Sequence, residues 1–532
     1  MSETIQFNLN GRDVTFSGDP TTSLLTVLRD EHGLTSVKDG CAPQAACGCC
    51  AVELNDDVVL ACVIRMKKVA GGSVRTIEGG DAHVMNTLAE SFAARGGAQC
   101  GFCIPGMVVR AAHLLGENPD PTEAEIRGEL RQHLCRCTGY AKIIDSIQTA
   151  ATALRTGEPV PVDEQTGRVG SRLVKHNVRP LVLGRRPFVA DMSLEGQLHG
   201  ALRLSEHPRA VVRRIDTSAA EAMPGVERIF LAADVPGQRA VGLIVPDWPL
   251  LVAEGETTRY IGDVIACVAA TSRQAARAAA DAIEIEYDVM EPVADMFDAL
   301  APDAPQVHES GNVLSVSKAA KGNVDEAFDQ CTHIVEHEYT TQRIEHAFME
   351  PEACIAEPTD AGVKLYSQSQ GVYEDRRQVA LLLGLEEKDV DVELVPNGGG
   401  FGGKEDLSVQ GHAALMAMLL QRPVKVELTR EESIRIHPKR HPLHMAYRIG
   451  CDDNGRLLAL RARITGDTGA YASVGAKVLE RATGHATGAY NVPNVDVVAT
   501  AVYPSANGDC LVNVGRCQDA AVVGAHSIFP YQ

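Results

Sequence analysis

The chain has 532 residues, of which 45% are hydrophobic and 23% charged, and it carries a formal net charge of −20. That length allows about three or four domains with buried cores, and the acidic balance argues against nucleic acid or an anionic membrane as partner, since both need clustered Lys and Arg. No apolar run approaches the ~20 residues of a membrane span, and the opening MSETIQFNLN has neither a basic nor an apolar signal region, so a cytoplasmic protein is the expectation.

IQFNLNGRDVTF alternates apolar and polar residues around Asn10–Gly11, which predicts a β-hairpin. SLLTVLRDEHG has helical spacing and stops at Gly33, a residue suited to a helix C-cap. The loop CAPQAACGCC follows, and AVELNDDVVLACVI then reads as two strands around residues 55–57. Together these predict a β-grasp, ferredoxin-like domain over residues 1–80. Over residues 81–155 the spacing becomes helical, in NTLAESFAARGG, PGMVVRAAHLL, TEAEIRGELRQHL and YAKIIDSIQTAATAL. Thr122 and Glu125 form a capping-box pattern, and Pro105 suits a first helical turn. A four-helix bundle is predicted there. Residues 156–170, rich in Pro, Gly and charge, read as a linker. Beyond it the chain is mixed α/β, with VIACVA, SRQAARAAADAI and IEIEYDV as a strand, a helix and a strand. The fold class is multidomain α+β.

Nine of the 15 cysteines lie in the first 137 residues. In a reducing compartment such clustering points to metal ligands or redox groups rather than disulfides. The other six, Cys267, Cys331, Cys354, Cys451, Cys510 and Cys517, are scattered singly and read as small buried hydrophobes. Cys41-x5-Cys47-x2-Cys50-x11-Cys62 is one residue longer in its first gap than the plant-type [2Fe–2S] loop. Cys49 is a spare neighbour that could replace Cys50 as ligand. A second set is Cys100-x2-Cys103 with Cys135-x-Cys137, each pair at a predicted helix junction. Zinc is the alternative metal, but Cys-x-Cys at a helix junction is not its usual spacing. Two [2Fe–2S] clusters are the expectation, on Cys41, Cys47, Cys50 and Cys62 and on Cys100, Cys103, Cys135 and Cys137.

GGGFGGKE invites a nucleotide reading, because Gly398-x4-Gly403-Lys404 is the skeleton of a phosphate-binding loop. That loop needs Ser or Thr next, and Glu405 would repel phosphate. The glycines instead let the backbone approach a bulky group closely, the alternative being a plain glycine turn.

CAPQAACGCC, QCGFCIPG and CRCTGY, in that order, resemble the iron–sulfur domains of the molybdenum hydroxylases, the xanthine dehydrogenase and aldehyde oxidoreductase family. The chain resembles most the selenium-dependent xanthine dehydrogenase type, with iron–sulfur and molybdenum parts fused, over residues 3 to about 505. GQLHGALRLSEHPRAVVRRIDTSAAEAMPGV, within 171–300, is similar to the family's α/β-hammerhead domain. HAFMEPEACIAEP, SQSQGVYEDRRQVALLLGL and NGGGFGGKED, within 301–532, are similar to the first part of its molybdopterin-binding domain.

This resemblance implies two [2Fe–2S] clusters and molybdenum–molybdopterin, with the cytosine dinucleotide form as one alternative. It implies no FAD in this chain, because only the 156–170 linker stands where the family's flavin domain sits. It implies that Gln370 hydrogen-bonds a molybdenum ligand, that Gln99 and Cys137 touch the pterin beside the second cluster, and that Phe401 and Gly402 lie against the metal centre. Glu405 and Arg481 match the two charges that grip purines in xanthine-oxidising members. Taken singly, these residues also fit a solvated Gln or a surface ion pair. The implied reaction is hydroxylation of a purine such as xanthine or hypoxanthine, or of a related N-heterocycle, with water as oxygen source. Aldehydes are the alternative substrate. Electrons would leave through the two clusters to an external acceptor such as a separate FAD subunit, in a homodimer or hetero-oligomer.

After TGAYNVPNVDVVATAVY the family pattern stops. Arg516 is not in the expected Arg-Gly-Phe-Gly motif, and the later pterin-binding segments and the glutamate that serves as general base are not seen. Three readings stay open: a frameshift near residue 506, a second polypeptide supplying the rest, or an iron–sulfur electron carrier without molybdenum.

Overall fold

The structure, a computed structural model, describes residues 3–41, 44–164 and 166–504, so the atypical tail with Cys510, Arg516 and Cys517 lies outside the described residues. Two compact units form. The first holds residues 1–192 with Ala347–Pro351 and Val395–Gly399, and the second holds the rest.

In the first unit, a five-stranded sheet runs in the order Arg12–Gly18, Glu3–Leu9, Ser73–Arg75, Ala51–Leu54, Asp57–Leu60. Glu3–Leu9 and Ser73–Arg75 are parallel and the other neighbours antiparallel. The first hairpin closes on Asn10 and Gly11 with φ of 52° and 81°. Positive φ at both central positions is what a tight hairpin turn matching strand twist requires. The segment read as a helix is only Leu24–Thr26, continued by a π-helical turn, Val27–Glu31. Ile5, Phe7, Phe16, Leu24, Leu28 and Val52 fill the core under the sheet.

Four α-helices follow, Ala82–Arg95, Ile104–Glu117, Glu123–Glu129 and Tyr140–Thr156. The first begins before its apolar repeat because Asp81 accepts from the His83 and Val84 amides as N-cap. Thr122 and Glu125 close a reciprocal capping box. Leu88, Phe92, Met107, Val108, Ile143 and Ile147 pack together between these helices.

In the second unit, a seven-stranded sheet runs Val390–Leu394, Val363–Ser367, Ala353–Pro358, Val424–Glu427, Leu198–Leu204, Val264–Ala270, Val226–Phe230. Val264–Ala270 is buried along its whole length. Cys267 and Ala269 face one core and Ala266, Val268 and Ala270 another, the period-two alternation of a strand covered on both sides. The strand–helix–strand segment is present, but its second strand, Glu284–Val289, pairs in a separate three-stranded sheet. A five-stranded sheet, Val313–Lys321, Asn494–Val502, Leu457–Asp467, Leu443–Cys451, His333–Thr341, completes the unit. The helix Gly475–His485 packs on it.

Candidate functional site

The first unit brings the predicted cysteines together in pairs. The Cys41 and Cys47 thiols lie within hydrogen-bond reach of each other, as do those of Cys50 and Cys62. In the helical part, Cys100 meets Cys137 and Cys103 meets Cys135. The shared hydrogen bond raises Cys50 and lowers Cys62, and it raises Cys137 and lowers Cys100. Among the described residues no three His, Cys, Asp or Glu side chains converge on one ion position. Cys135 also meets Cys137, so the four thiols of the helical part form one contiguous group of soft ligands, a donor set suited to iron. Cys49 meets the Cys47 thiol but not Cys62. It is fully buried and its thiol points at the Cys47 carbonyl, 3.8 Å away.

Backbone N–H groups aim at these sulfurs. Ala46 N–H lies 3.4 Å from Cys41 Sγ and Gly139 N–H 3.5 Å from Cys135 Sγ. Such donors stabilise negative charge on sulfur. The Cys135 amide donates to Tyr140 Oη at 2.8 Å, and Tyr140 donates to the His133 carbonyl at 3.0 Å, which holds the CRCTGY turn shut. Two glycines let the two cysteine-bearing parts touch. A Cβ on Gly48 would lie 2.4 Å from the Gln132 carbonyl, and one on Gly106 would lie 2.5 Å from the Gly48 carbonyl. Across that contact the Leu134 amide, next to Cys135, donates to the Cys47 carbonyl at 2.9 Å. Gln99 donates through Nε2 to the Cys137 carbonyl at 3.1 Å, and Lys175 Nζ donates to the Gln99 carbonyl.

In the second unit, Gln370 is bound to the glycine loop. Its Oε1 accepts from the Gly402 amide at 2.9 Å and the Lys404 amide at 3.4 Å, and its own amide donates to the Lys404 carbonyl at 2.8 Å. With the oxygen used, the side-chain NH2 is the end left to meet an acceptor. A Cβ on Gly400 would lie 2.3 Å from Gln370 Oε1, so glycine there leaves room for the Gln370 side chain to bond the loop. Phe401 is 42% exposed with φ of +56°, and Gly402 has φ of +96°. A phenylalanine held left-handed and half in solvent is a strained, outward-facing side chain. Lys404 is buried against Gln368, and no helix starts until Gln410, so this is no phosphate loop.

Glu405 is half-buried, and desolvation raises its carboxyl while Arg481 pulls it back down. Arg481 is exposed on the helix Gly475–His485. The two predicted charges therefore share one neighbourhood and act on each other. The neighbouring Asp406 is buried, and its Oδ2 accepts from Ser473 Oγ at 2.6 Å. Asp406, Ser473 and Asp247 escaped sequence reasoning because nothing in the spacing distinguishes a buried carboxylate from a solvated one.

The group chemistry fits this donor set: paired soft thiolates for iron, and glycine-rich backbone with an outward amide for a bulky polar cofactor. Among the described residues no helix is long and apolar enough to cross a membrane.

Comparison with known proteins agrees along the chain. Residues 7–67 match the 2Fe-2S iron-sulfur cluster binding domain and 76–148 the [2Fe-2S] binding domain. Residues 183–291 match the aldehyde oxidase and xanthine dehydrogenase a/b hammerhead domain, and 307–507 the molybdopterin cofactor-binding domain. The nicotinate dehydrogenase large molybdopterin subunit of Eubacterium barkeri is 40% identical over 63% of this chain and 79% of its own length. The aldehyde oxidoreductase of Megalodesulfovibrio gigas is 33% identical over 92% of this chain and 56% of its own. The crystal structure of the aldehyde oxidoreductase from Desulfovibrio desulfuricans superposes with a TM-score of 0.91 at 30% identity, over 96% of this chain and 59% of that one. The chain thus spans a little over half the length of the last two.

Proposed function

As the chain belongs to the molybdenum hydroxylase family of xanthine dehydrogenases and aldehyde oxidoreductases, we propose that it oxidises a purine such as xanthine or hypoxanthine, or a related N-heterocycle. The observation that carries this reading is the Glu405–Arg481 pair. The relative named for nicotinate, itself an N-heterocycle, supports it.

When bound, the molybdenum–pterin group supplies two-electron oxidation with water as oxygen source, and two [2Fe–2S] clusters supply one-electron carriage. Cys41, Cys47, Cys50 and Cys62 hold one cluster, and Cys100, Cys103, Cys135 and Cys137 the other. The pairing of Cys50, not Cys49, with Cys62 supports that ligand choice. Gln99 and Cys137 hold the pterin side. Gln370, its oxygen held by the glycine loop, would have its NH2 free to donate to a ligand of the metal, and Phe401 and Gly402 would line that site. Glu405 shares a proton with, or accepts from, a ring nitrogen of the substrate. The raised carboxyl suits that role, since a group poised closer to neutrality exchanges a proton more readily. Arg481 stabilises negative charge developing on the ring or its exocyclic oxygen. Electrons pass to an external acceptor. Residues 149–182, between the matched iron–sulfur and hammerhead domains, are too few for a flavin domain.

The test is turnover by the assembled enzyme of xanthine, hypoxanthine, nicotinate and a set of aldehydes with an artificial electron acceptor. Glu405→Gln and Arg481→Met should each cut kcat/KM for the heterocycle by about 100-fold, the loss of a buried polar contact to substrate. Turnover of aldehydes alone would overturn the reading.

A further inference from the structure

The helix that carries Arg481 enters through a turn bound by two buried aspartates, Asp406 and Asp263, and the half-buried Asp247. Asp406, directly after Glu405, accepts from Ser473 Oγ at 2.6 Å. Asp247 Oδ2 accepts from the Ala472 amide at 2.8 Å and from Tyr503 Oη at 3.1 Å. Tyr471 stacks on Trp248, with ring centroids 5.6 Å apart, and donates to Asp263 at 2.8 Å. Three consecutive residues, 471–473, are therefore each tied to an aspartate. Ser473 is buried and left-handed, with φ of +42°, a conformation that a residue bearing a Cβ keeps only when its surroundings impose it. Two residues later the helix Gly475–His485 begins.

From this geometry we infer that Asp406, acting through Ser473, and Asp247, acting through Ala472, are positioning residues that set the spacing between Glu405 and Arg481 and thereby the preference for an N-heterocycle over an aldehyde. The inference rests on the proposed role of that pair. The Asp406–Ser473 bond lies one residue from Glu405 and two from the start of the helix that carries Arg481, so it fixes the backbone beneath both charges. An aldehyde has no ring nitrogens to meet the pair, so its oxidation should not depend on the spacing.

The test uses the assembled enzyme and whichever of xanthine, hypoxanthine or nicotinate it turns over, with benzaldehyde as the contrast. Ser473→Ala and Asp406→Leu break the tie from opposite ends. Asp406→Asn keeps an acceptor oxygen. The two breaking variants should raise KM for the heterocycle by about tenfold, leave kcat/KM for benzaldehyde within about twofold, and weaken calorimetric binding of a non-oxidisable purine, uric acid, by a similar factor. Asp406→Asn should recover most of the affinity, and adding Ser473→Ala to Glu405→Gln should cost little more than Glu405→Gln alone. Parallel losses on both substrates, or an unchanged KM for the heterocycle, overturn the inference. Glu405→Gln separates the two claims. If it leaves both KM and kcat/KM for the heterocycle unchanged, the pair has no substrate role and both claims fall. If it raises KM while the tie-breaking variants do not, the pair stands and the positioning claim falls.

Discussion

Asp406 is only 2% exposed, and desolvation pushes its carboxyl up to about 7, with the Ser473 hydrogen bond opposing. An unfolded aspartate releases its proton near ~3.9. Between those two values the folded chain holds a proton that the unfolded chain has lost. Stability contributed by this site is therefore full below about pH 4, falls as pH rises, and is lost above about 7. Asparagine has the same shape and no proton to lose. Urea midpoints for the wild type and Asp406→Asn should nearly coincide at pH 4, and the variant should lead by pH 8. A variant that leads equally at both pH values would show that the carboxyl is already charged in the folded state. Glu405 carries a raised carboxyl for the same reason, but Arg481 beside it limits the rise. Adjacent acids thus differ in setting, one buried as a hydrogen-bond partner of Ser473 and one half-open beside Arg481.

At the scale of elements, the sequence was readable where a local rule decides the outcome. The Asn10–Gly11 turn, the Thr122–Glu125 capping box and the Pro105 helix start are set by backbone geometry within a few residues, and each forms as expected. Cysteine spacing was readable too, because iron–sulfur loops constrain it. What could not be read were contacts between segments distant in sequence. Sheet membership of Glu284–Val289 depends on strands laid down about 70 residues earlier, and the burial of Lys404 on a partner at 368. The Gly48–Gly106 contact is another such case, and it makes a prediction. A methyl on Gly106 would press into the Gly48 and Cys49 carbonyls, at 2.5 Å and 3.0 Å, and backbone cannot yield as a side-chain tip can. Gly106→Ala should push the Cys47–Cys50 loop off the helix at a cost of about 1–3 kcal/mol. Iron content and the melting temperature of the cluster absorbance should both fall. A variant with full iron and an unchanged melting curve would show that the loop does not depend on this contact.

At the scale of the molecule, the first unit is not one continuous stretch of chain. Residues 347–351 and 395–399 belong to it, although the segments on either side of them fold elsewhere. Met349 is buried at 3% exposure in the same core as Cys41, Cys47, Phe102 and Cys103. Beside it Glu350 is fully buried and accepts from the Gly398 amide at 2.7 Å, joining the two inserted pieces inside that unit. The iron–sulfur unit therefore draws packing from residues about 200 positions beyond its own linker, which helps explain why a domain reading taken along the chain could not see its true edge. Met349→Ala should remove about 2–5 kcal/mol from that core, the usual cost of an internal truncation. The readout is the denaturant midpoint at which cluster absorbance bleaches. It should shift down in Met349→Ala and stay put in Leu415→Ala, which truncates a fully buried residue in the core of the second unit. If bleaching ignores Met349 and follows Leu415, the inserted segment is a passenger and the iron–sulfur unit stands on residues 1–192 alone.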